Sequence, residues 1–345
     1  MNKALQDTVL EVNNIIKIYR TRTSFLGTKG KVVVALNRAS FAIGRGEIFG
    51  LVGESGSGKT TVGRLIVGLE NPDGGEIRLD GNNIIGLRGK TSRGFRRKVQ
   101  MIFQDPYQSL NPQLSVFDTI SEPLTIHKLG NNEEKEATVR ETMKAVGLAP
   151  PETFMHRYPH QLSGGQRQRV AIARTMVLKP EFVVADEPTS MLDASISAQI
   201  FNILMEMRRQ FQVTLMFITH SLAAARYLCD RIAVIYKGNL MEIGTAHEVI
   251  NTPKHPYTQA LIDALPKFGD CDGIHRYETL LPNNRGAADG RGCAFYPRCR
   301  VADPAICGRQ HPLMKPVGST HSTACFKAEQ GIETGSKSEE CFYGT

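Results

Sequence analysis

Apolar positions along this chain fall into two alternating textures. Residues 9–19 (VLEVNNIIKIY) alternate in part and are rich in β-branched side chains, which predicts a strand. Residues 32–43 and 47–52 predict two more strands, with a turn at 44–46, and residues 21–31 predict a loop. From Lys59 the apolar positions Val62, Leu65, Ile66 and Leu69 recur at helical spacing, and Gly68 with Asn71-Pro72 ends the run. Short strands are predicted at 76–79 and 83–85, around Asp80-Gly81. Residues 115–147 carry helical periodicity and a charged stretch at 131–141, which predicts a mostly helical insertion. Helices are then predicted at 166–178, 195–211 and 222–229. Between and after them lie apolar runs at 182–185 and 213–219, then strands at 232–236 and 240–243 about Lys237-Gly238. Short, wholly apolar runs are the mark of strands buried on both faces. Their alternation with helices predicts an α/β fold with a parallel core sheet.

Past about residue 251 the texture changes, and 270–291 is polar and turn-rich. A boundary is therefore expected between 250 and 270: a domain at 1–250 and an extension at 251–345. Composition changes this picture little. Of 345 residues 41% are apolar and 22% charged, which is ordinary for a globular protein. The net charge of +8 reads as a solvated surface. Basic residues are not interleaved with stacking aromatics and Trp is absent, so nucleic-acid binding is not expected. No apolar run reaches eighteen residues, and the first ten (MNKALQDTVL) lack the pattern of a signal peptide, so a cytosolic location is expected. The seven cysteines are skewed: Cys229 stands alone and six fall between 271 and 341, which marks the tail as chemically distinct.

Chemistry enters with Gly53-Glu54-Ser55-Gly56-Ser57-Gly58-Lys59-Thr60, a match to G-x-x-x-x-G-K-S/T set between a predicted strand and helix. Glycines let successive N–H groups curl towards phosphate oxygens, and the helix dipole adds positive potential there. Lys59 is placed to reach the β- and γ-phosphates, and the Thr60 hydroxyl to ligate Mg²⁺. Residues 182–187 (FVVADE) form an apolar strand ending in two carboxylates. Alone, such a strand could enter any surface loop. Beside a phosphate loop, Asp186 is expected to hold Mg²⁺ through water and Glu187 to face the attacking water. Leu162-Ser163-Gly164-Gly165-Gln166 precedes a predicted helix. Ser163 suits a helix N-cap. A Ser hydroxyl, two Gly N–H groups and a helix N-terminus also suit a second anion site, which implies two chains sharing nucleotides.

These residues resemble the nucleotide-binding subunits of ATP-binding-cassette transporters. The matching positions are 53–61, Gln104, 162–166, 182–187, 190–193 and His220, within a resemblance covering roughly 9–250. It implies a P-loop α/β core with a parallel sheet, an N-terminal antiparallel β subdomain and a helical subdomain at about 105–165. It implies that Tyr19 stacks on adenine and that Gly53, Glu54, Ser55, Gly56, Ser57, Gly58, Lys59, Thr60 and Thr61 hold the ATP. Ser163, Gly164, Gly165, Gln166 and Asp193 would complete a partner's site. Mg²⁺ would be held by Thr60, Gln104 and Asp186, and catalysis would rest on Glu187, His220 and Gln104. Met191 stands where a small residue is more typical, a change that packing tolerates. With every motif intact, the site is expected to hydrolyse ATP.

In the tail, Cys293, Cys299, Cys307 and Cys325 are separated by five, seven and seventeen residues, wider than a zinc knuckle. Four thiolates in a loop-rich segment suggest a metal or iron–sulfur site, for which His311 and His321 could substitute as ligands. Cys271 and Cys341 look like spares. The segments His255-Pro256-Tyr257-Thr258, Gly292-Cys293-Ala294-Phe295 and Arg298-Cys299, with Gln104-Asp105-Pro106-Tyr107, resemble the oligopeptide and dipeptide importer ATPases. That resemblance implies a four-iron, four-sulfur cluster on the cysteines, with zinc or free thiols as the other readings. It implies a second ATPase subunit, expected to form a heterodimer, two permease subunits, an extracytoplasmic substrate-binding protein, and a place at the cytoplasmic face of the membrane. Other cargoes (nickel complexes, heme, opines, oligosaccharides) fit the same engine, since this chain touches none of them. A soluble ATPase of translation or DNA repair is the alternative of another class, and a redox-regulated transporter is a further one.

Overall fold

The computed structural model describes residues 8–20, 32–264 and 291–328. The expected loop at 21–31, most of the polar stretch at 270–291, Cys271 and Cys341 lie outside the described residues. The chain forms two compact units, Met1–Asn239 and Leu240–Thr345. Among the described residues no helix is long and apolar enough to cross a membrane.

The first unit opens with β1 (Thr8–Arg20), β2 (Val32–Gly44), β3 (Ile48–Val52), α1 (Lys59–Ile66), β4 (Gly74–Leu79) and β5 (Asn82–Asn83). Strands β1, β2, β4 and β5 make an antiparallel sheet in the order β2-β1-β4-β5. The second short strand is thus two residues long, not the expected 83–85: Ile84 instead turns its N–H to the carbonyl of Ile77. Next come α2 (Gly89–Lys98), β6 (Val99–Ile102), α3 (Pro106–Ser109), α4 (Val116–Ile126), α5 (Asn132–Ala145) and α6 (Gly164–Met176). The expected helical insertion is two helices, α4 and α5, and α3 to α6 pack on one another. Charged α5 buries only Val139 and Met143, and is started by a reciprocal cap between Asn131 and Glu134.

The core sheet adds β7 (Phe182–Asp186), α7 (Ala194–Phe211), β8 (Thr214–Thr219), α8 (Leu222–Leu228) and β9 (Arg231–Tyr236). Its order is β9-β3-β8-β7-β6, with every pairing parallel. Strands β3, β7 and β8 are buried at every position, the condition their unbroken apolar runs require. Cys229 sits in this core, where burial pushes its thiol far above the usual range; it is a packing residue.

The second unit holds β10 (Asn239–Thr245), α9 (Ala246–Asn251), α10 (Pro256–Asp263), β11 (Lys315–Pro316) and β12 (Ser322–Thr323). Strand β12 pairs antiparallel with β10 and β11. Glu242, wholly buried on β10, organises this unit. It accepts hydrogen bonds from the backbone N–H groups of Lys254 and His255, and its Oε1 lies 2.6 Å from His321 Nε2.

Candidate nucleotide site

Parallel sheets bind ligands beyond the carboxyl ends of their strands, where loops and helix N-termini converge. Three such ends meet here. Strand β3 runs into the 53–58 loop and α1. Strand β7 ends on Asp186 and Glu187, and β8 ends on Thr219 and His220. The loop is shaped by crowding as well as by torsion. A side-chain carbon at Gly53 would stand 2.1 Å from the Ile235 carbonyl oxygen. At Gly58, which caps α1 at φ 103°, it would stand 2.5 Å from the Ala35 carbonyl oxygen.

Lys59 folds back over the loop and is 4% exposed. Its Nζ donates to the carbonyls of Gly53 at 2.8 Å and Glu54 at 2.9 Å, and stands 3.8 Å from Glu187 Oε1. Burial lowers its pKa against the pull of Glu187, Asp186 and Glu54. A buried cation of this kind is stabilised further by an anionic ligand. The Thr60 hydroxyl donates to Asp186 Oδ1 at 3.3 Å, and burial raises the Asp186 carboxyl despite that bond. Two oxygens of this kind suit a hard cation, which would supply the positive counter-charge that favours the ionised Asp186 carboxylate.

Glu187 is the hub. Its Oε2 accepts from Gln104 Nε2 at 3.4 Å and lies 3.2 Å from His220 Nδ1. Its backbone is in the left-handed region, φ 44°, held by a bond from its N–H to the Ile218 carbonyl. A β-strand that ends in a strained carboxylate is a common device for aiming a functional group. The loop residues Ser55, Gly56, Gly58, Lys59, Thr60 and Thr61 line a cavity of about 710 Å³ together with Gln104, Glu187 and His220. An adjoining cavity shares Thr60 and Gln104 and adds Asp186 and Met191.

Other expected residues are elsewhere. Tyr19 does not line the cavity: its hydroxyl donates to Glu70 at 2.6 Å and meets Thr61, with Lys17 over its ring. Ser163, Gly164, Gly165 and Gln166 start α6, and the Ser163 hydroxyl and Gln166 side chain cap it reciprocally. Asp193 caps α7 by accepting from the Ile196 N–H at 2.9 Å. None of these five lines the cavity of their own chain. Lys237 does line it, and was not expected. It sits in the turn after β9, where Gly238 donates its N–H to the Ser57 carbonyl at 2.8 Å and so joins that turn to the phosphate loop. A basic residue following a parallel strand next to β3 was the available signal.

In the second unit Cys293, Cys299, Cys307 and Cys325 line one small cavity walled by Phe295, Val301, Pro312 and Phe326. All four are free thiols. Burial and the neighbouring thiols push Cys293 up to about 11 and Cys299 up to about 12. Backbone N–H groups of Phe295 and Tyr296, of Val301, and of Lys327 and Ala328 point at the sulfurs of Cys293, Cys299 and Cys325. His321 is taken by Glu242, and neither it nor His311 lines this cavity. His255 does line it, as a neutral ring: burial lowers its pKa to about 4, and its Nδ1 accepts the Tyr257 N–H at 3.0 Å. Among the described residues no three His, Cys, Asp or Glu side chains stand close enough about one point to hold a single metal ion.

Comparison with known proteins agrees with this geometry. Residues 36–190 match the family described as ABC transporter, and 241–307 match the oligopeptide/dipeptide transporter C-terminal region. The chain is 40% identical to the oligopeptide transport ATP-binding protein AppF of Bacillus subtilis, over 94% of this chain and 99% of that one. It is 46% identical to the oligopeptide transport ATP-binding protein OppF of Streptococcus mutans, over 73% and 82%. Among solved structures it resembles the dimeric, post-hydrolysis state of the ATP-binding cassette MJ0796 bound to ADP and Pi. The TM-score is 0.61 at 30% identity, covering 69% of this chain and 98% of that one.

Proposed function

This chain belongs to the ATP-binding-cassette transporter ATPases, in their oligopeptide and dipeptide branch, and from that premise we propose that it hydrolyses ATP at a site completed by a second ATPase subunit, so as to drive peptide uptake through separate permeases. The observation that carries this reading is a division of labour within one chain. Lys59, Thr60, Gln104, Glu187 and His220 surround one cavity and Asp186 adjoins it, while Ser163, Gly164, Gly165, Gln166 and Asp193 stand outside it. The first set holds and polarises the phosphate and orients the water that attacks it. The second offers N–H groups and a hydroxyl to the nucleotide of a partner, expected to be a similar but distinct subunit.

Thr60, Asp186 and Gln104 would hold Mg²⁺, which supplies charge neutralisation on the phosphates. Gly53, Glu54, Ser55, Gly56, Ser57, Gly58 and Thr61 surround the phosphates with N–H groups, and Lys59 exchanges its carbonyl partners for phosphate oxygen. Tyr19, next to Thr61, is the aromatic within reach of a base. Glu187 accepts a proton from the attacking water while Gln104 and His220 hold it in place. The domain carrying this site is 1–250, its helical part about 105–165, with 251–345 as the importer-type extension.

A groove of about 370 Å³ between β6, α4 and α6 fits the permeases. It is lined by Leu69, Met101, Phe103, Leu110, Ile126 and Leu178 among others. Leu69 is 54% and Ile126 56% exposed, apolar surface that a partner segment would cover. The chain would then work at the cytoplasmic face of the membrane, fed by an extracytoplasmic binding protein. The test is reconstitution: with permeases and the partner ATPase in proteoliposomes, peptide-loaded binding protein is expected to raise ATP turnover at least tenfold above the isolated chain. Stimulation by a nickel complex, heme, an opine or an oligosaccharide instead would keep the engine and replace the cargo. No stimulation by any of them would overturn the transport reading.

For the tail, the four thiols fit a four-iron, four-sulfur cluster better than a single zinc ion. Zinc needs all its ligands within about 2.3 Å of one point, whereas a cluster spreads its cysteines round a larger centre. Cys293, Cys299, Cys307 and Cys325 would hold it, and the backbone N–H groups aimed at three of the sulfurs would tune its potential. Protein purified without oxygen is expected to contain about four irons and four acid-labile sulfides per chain, lost when Cys299 is replaced by Ser. Stoichiometric zinc, or metal-free protein with an intact tail, would refute the assignment.

A further inference from the structure

One feature of the first unit is unused by the ATP site. Between residues 88 and 98 stand Arg88, Lys90, Arg93, Arg96, Arg97 and Lys98, with no acidic residue among them. All six are exposed, and helix α2 is anchored by a single buried side chain, Phe95. Lys98 pairs with Glu181 at 2.9 Å. Among the described residues the other five form no ion pair with a carboxylate. Lys90, Arg93 and Arg97 follow one stripe of the helix, where like charges three and four residues apart repel. The helix also contains Gly89, Gly94, Thr91 and Ser92, all poor helix formers. An isolated segment of this kind gains little from being helical, and a polyanion laid along it removes the repulsion.

The stripe has a definite neighbour. Arg96 lines the apolar groove beside α2 together with His127. Arg93 and Arg97 stand close enough to His127 that their charge, after burial, lowers its pKa. The cations therefore rim the groove proposed above for the permeases. A membrane subunit seated in that groove would put its rim on the side of the ATPase that faces the membrane. We propose that α2 binds the anionic lipid headgroups of the membrane surface, so that the ATPase is held by the bilayer as well as by its permeases. This rests on the docking reading of the groove. Clusters of four to eight basic residues beside a membrane are the size that recognises anionic lipid. A lipid surface is favoured over nucleic acid, because no exposed aromatic accompanies the cations on α2 and its one aromatic, Phe95, is buried.

The test uses the full chain and vesicles without permeases. The chain is expected to sediment with vesicles of phosphatidylcholine and phosphatidylglycerol at about 7:3, and not with phosphatidylcholine alone. Binding should weaken with salt. The variant K90Q/R93Q/R97Q should lose roughly a hundredfold in vesicle affinity, at about 1 kcal/mol per cation, while ATP affinity, the control for folding, stays unchanged. Equal binding of both vesicle types, or of variant and parent, would overturn the proposal, as would tight binding of single-stranded RNA in place of vesicles. Assembly with permeases in detergent separates the two readings. Loss of assembly on changing Ile126→Glu concerns the groove, whereas the α2 variant should assemble there normally.

Discussion

Glu187→Gln is expected to leave ATP affinity within about threefold of the parent and to cut turnover by 10²–10⁴, the range for a positioned proton acceptor. The amide matches the carboxylate in size and still accepts from Gln104, whose Nε2 lies 3.4 Å from Oε2. The strained backbone at 187 is fixed by its N–H bond to Ile218, which the side chain does not alter. The change removes the proton-accepting oxygen and the charge 3.8 Å from Lys59. Losing that charge leaves Lys59 freer to bind phosphate, so affinity should hold or tighten. Asp186→Asn separates the roles: it weakens the Thr60–Asp186 oxygen pair and should reduce Mg²⁺-dependent binding itself. Nucleotide binding by both variants is read from equilibrium titration, and turnover from phosphate release with the partner subunit present. Release from the Glu187 variant within tenfold of the parent would move the general base elsewhere, with His220 next in line.

How far the sequence announces this arrangement depends on the element. The parallel strands were legible because the middles of β7 and β8, residues 182–185 and 215–218, are buried and wholly apolar. Their ends were legible too, since Asp186-Glu187 and Thr219-His220 are the first polar groups beyond an apolar run. The elements at 89–102 were not legible. Helix α2 has one apolar anchor, Phe95, and no apolar periodicity, so no element is predicted there. Strand β6 has four residues, too few to separate a strand from a buried helical turn. Lys237 was missed because its place in the site depends on the sheet order, which sets β9 beside β3. The cysteine cavity depends on a fold of turns that joins Cys293 to Cys307 through a backbone bond. Spacing alone could not exclude His321, whose engagement by Glu242 follows from strand β12 pairing with β10.

Gly53→Ala is expected to cost about a hundredfold in ATP affinity, and Gly56→Ala far less, although both glycines lie in the phosphate loop. The motif itself fixes the first and leaves the second open, and the geometry gives the reason. At Gly53 the added methyl would stand 2.1 Å from the Ile235 carbonyl oxygen and 2.8 Å from Ser57 Oγ. The first of these is backbone of the core strand β9 and cannot yield, so the loop must. The Gly53 carbonyl is also a partner of Lys59 at 2.8 Å, so moving it carries the catalytic cation out of place. A displacement near 1 Å in a positioned group costs on the order of a hundredfold. At Gly56 the methyl meets nothing within 4 Å, and the penalty is the left-handed torsion at φ 74°. That costs about 1–2 kcal/mol for a residue with a side chain, or roughly tenfold if all of it falls on the bound loop. Titration of both variants with a fluorescent ATP analogue, with thermal unfolding as the check on folding, reads the difference. Equal losses would mean that crowding against β9 does not set a larger cost at Gly53, whose φ lies outside the left-handed region, than the left-handed torsion sets at Gly56.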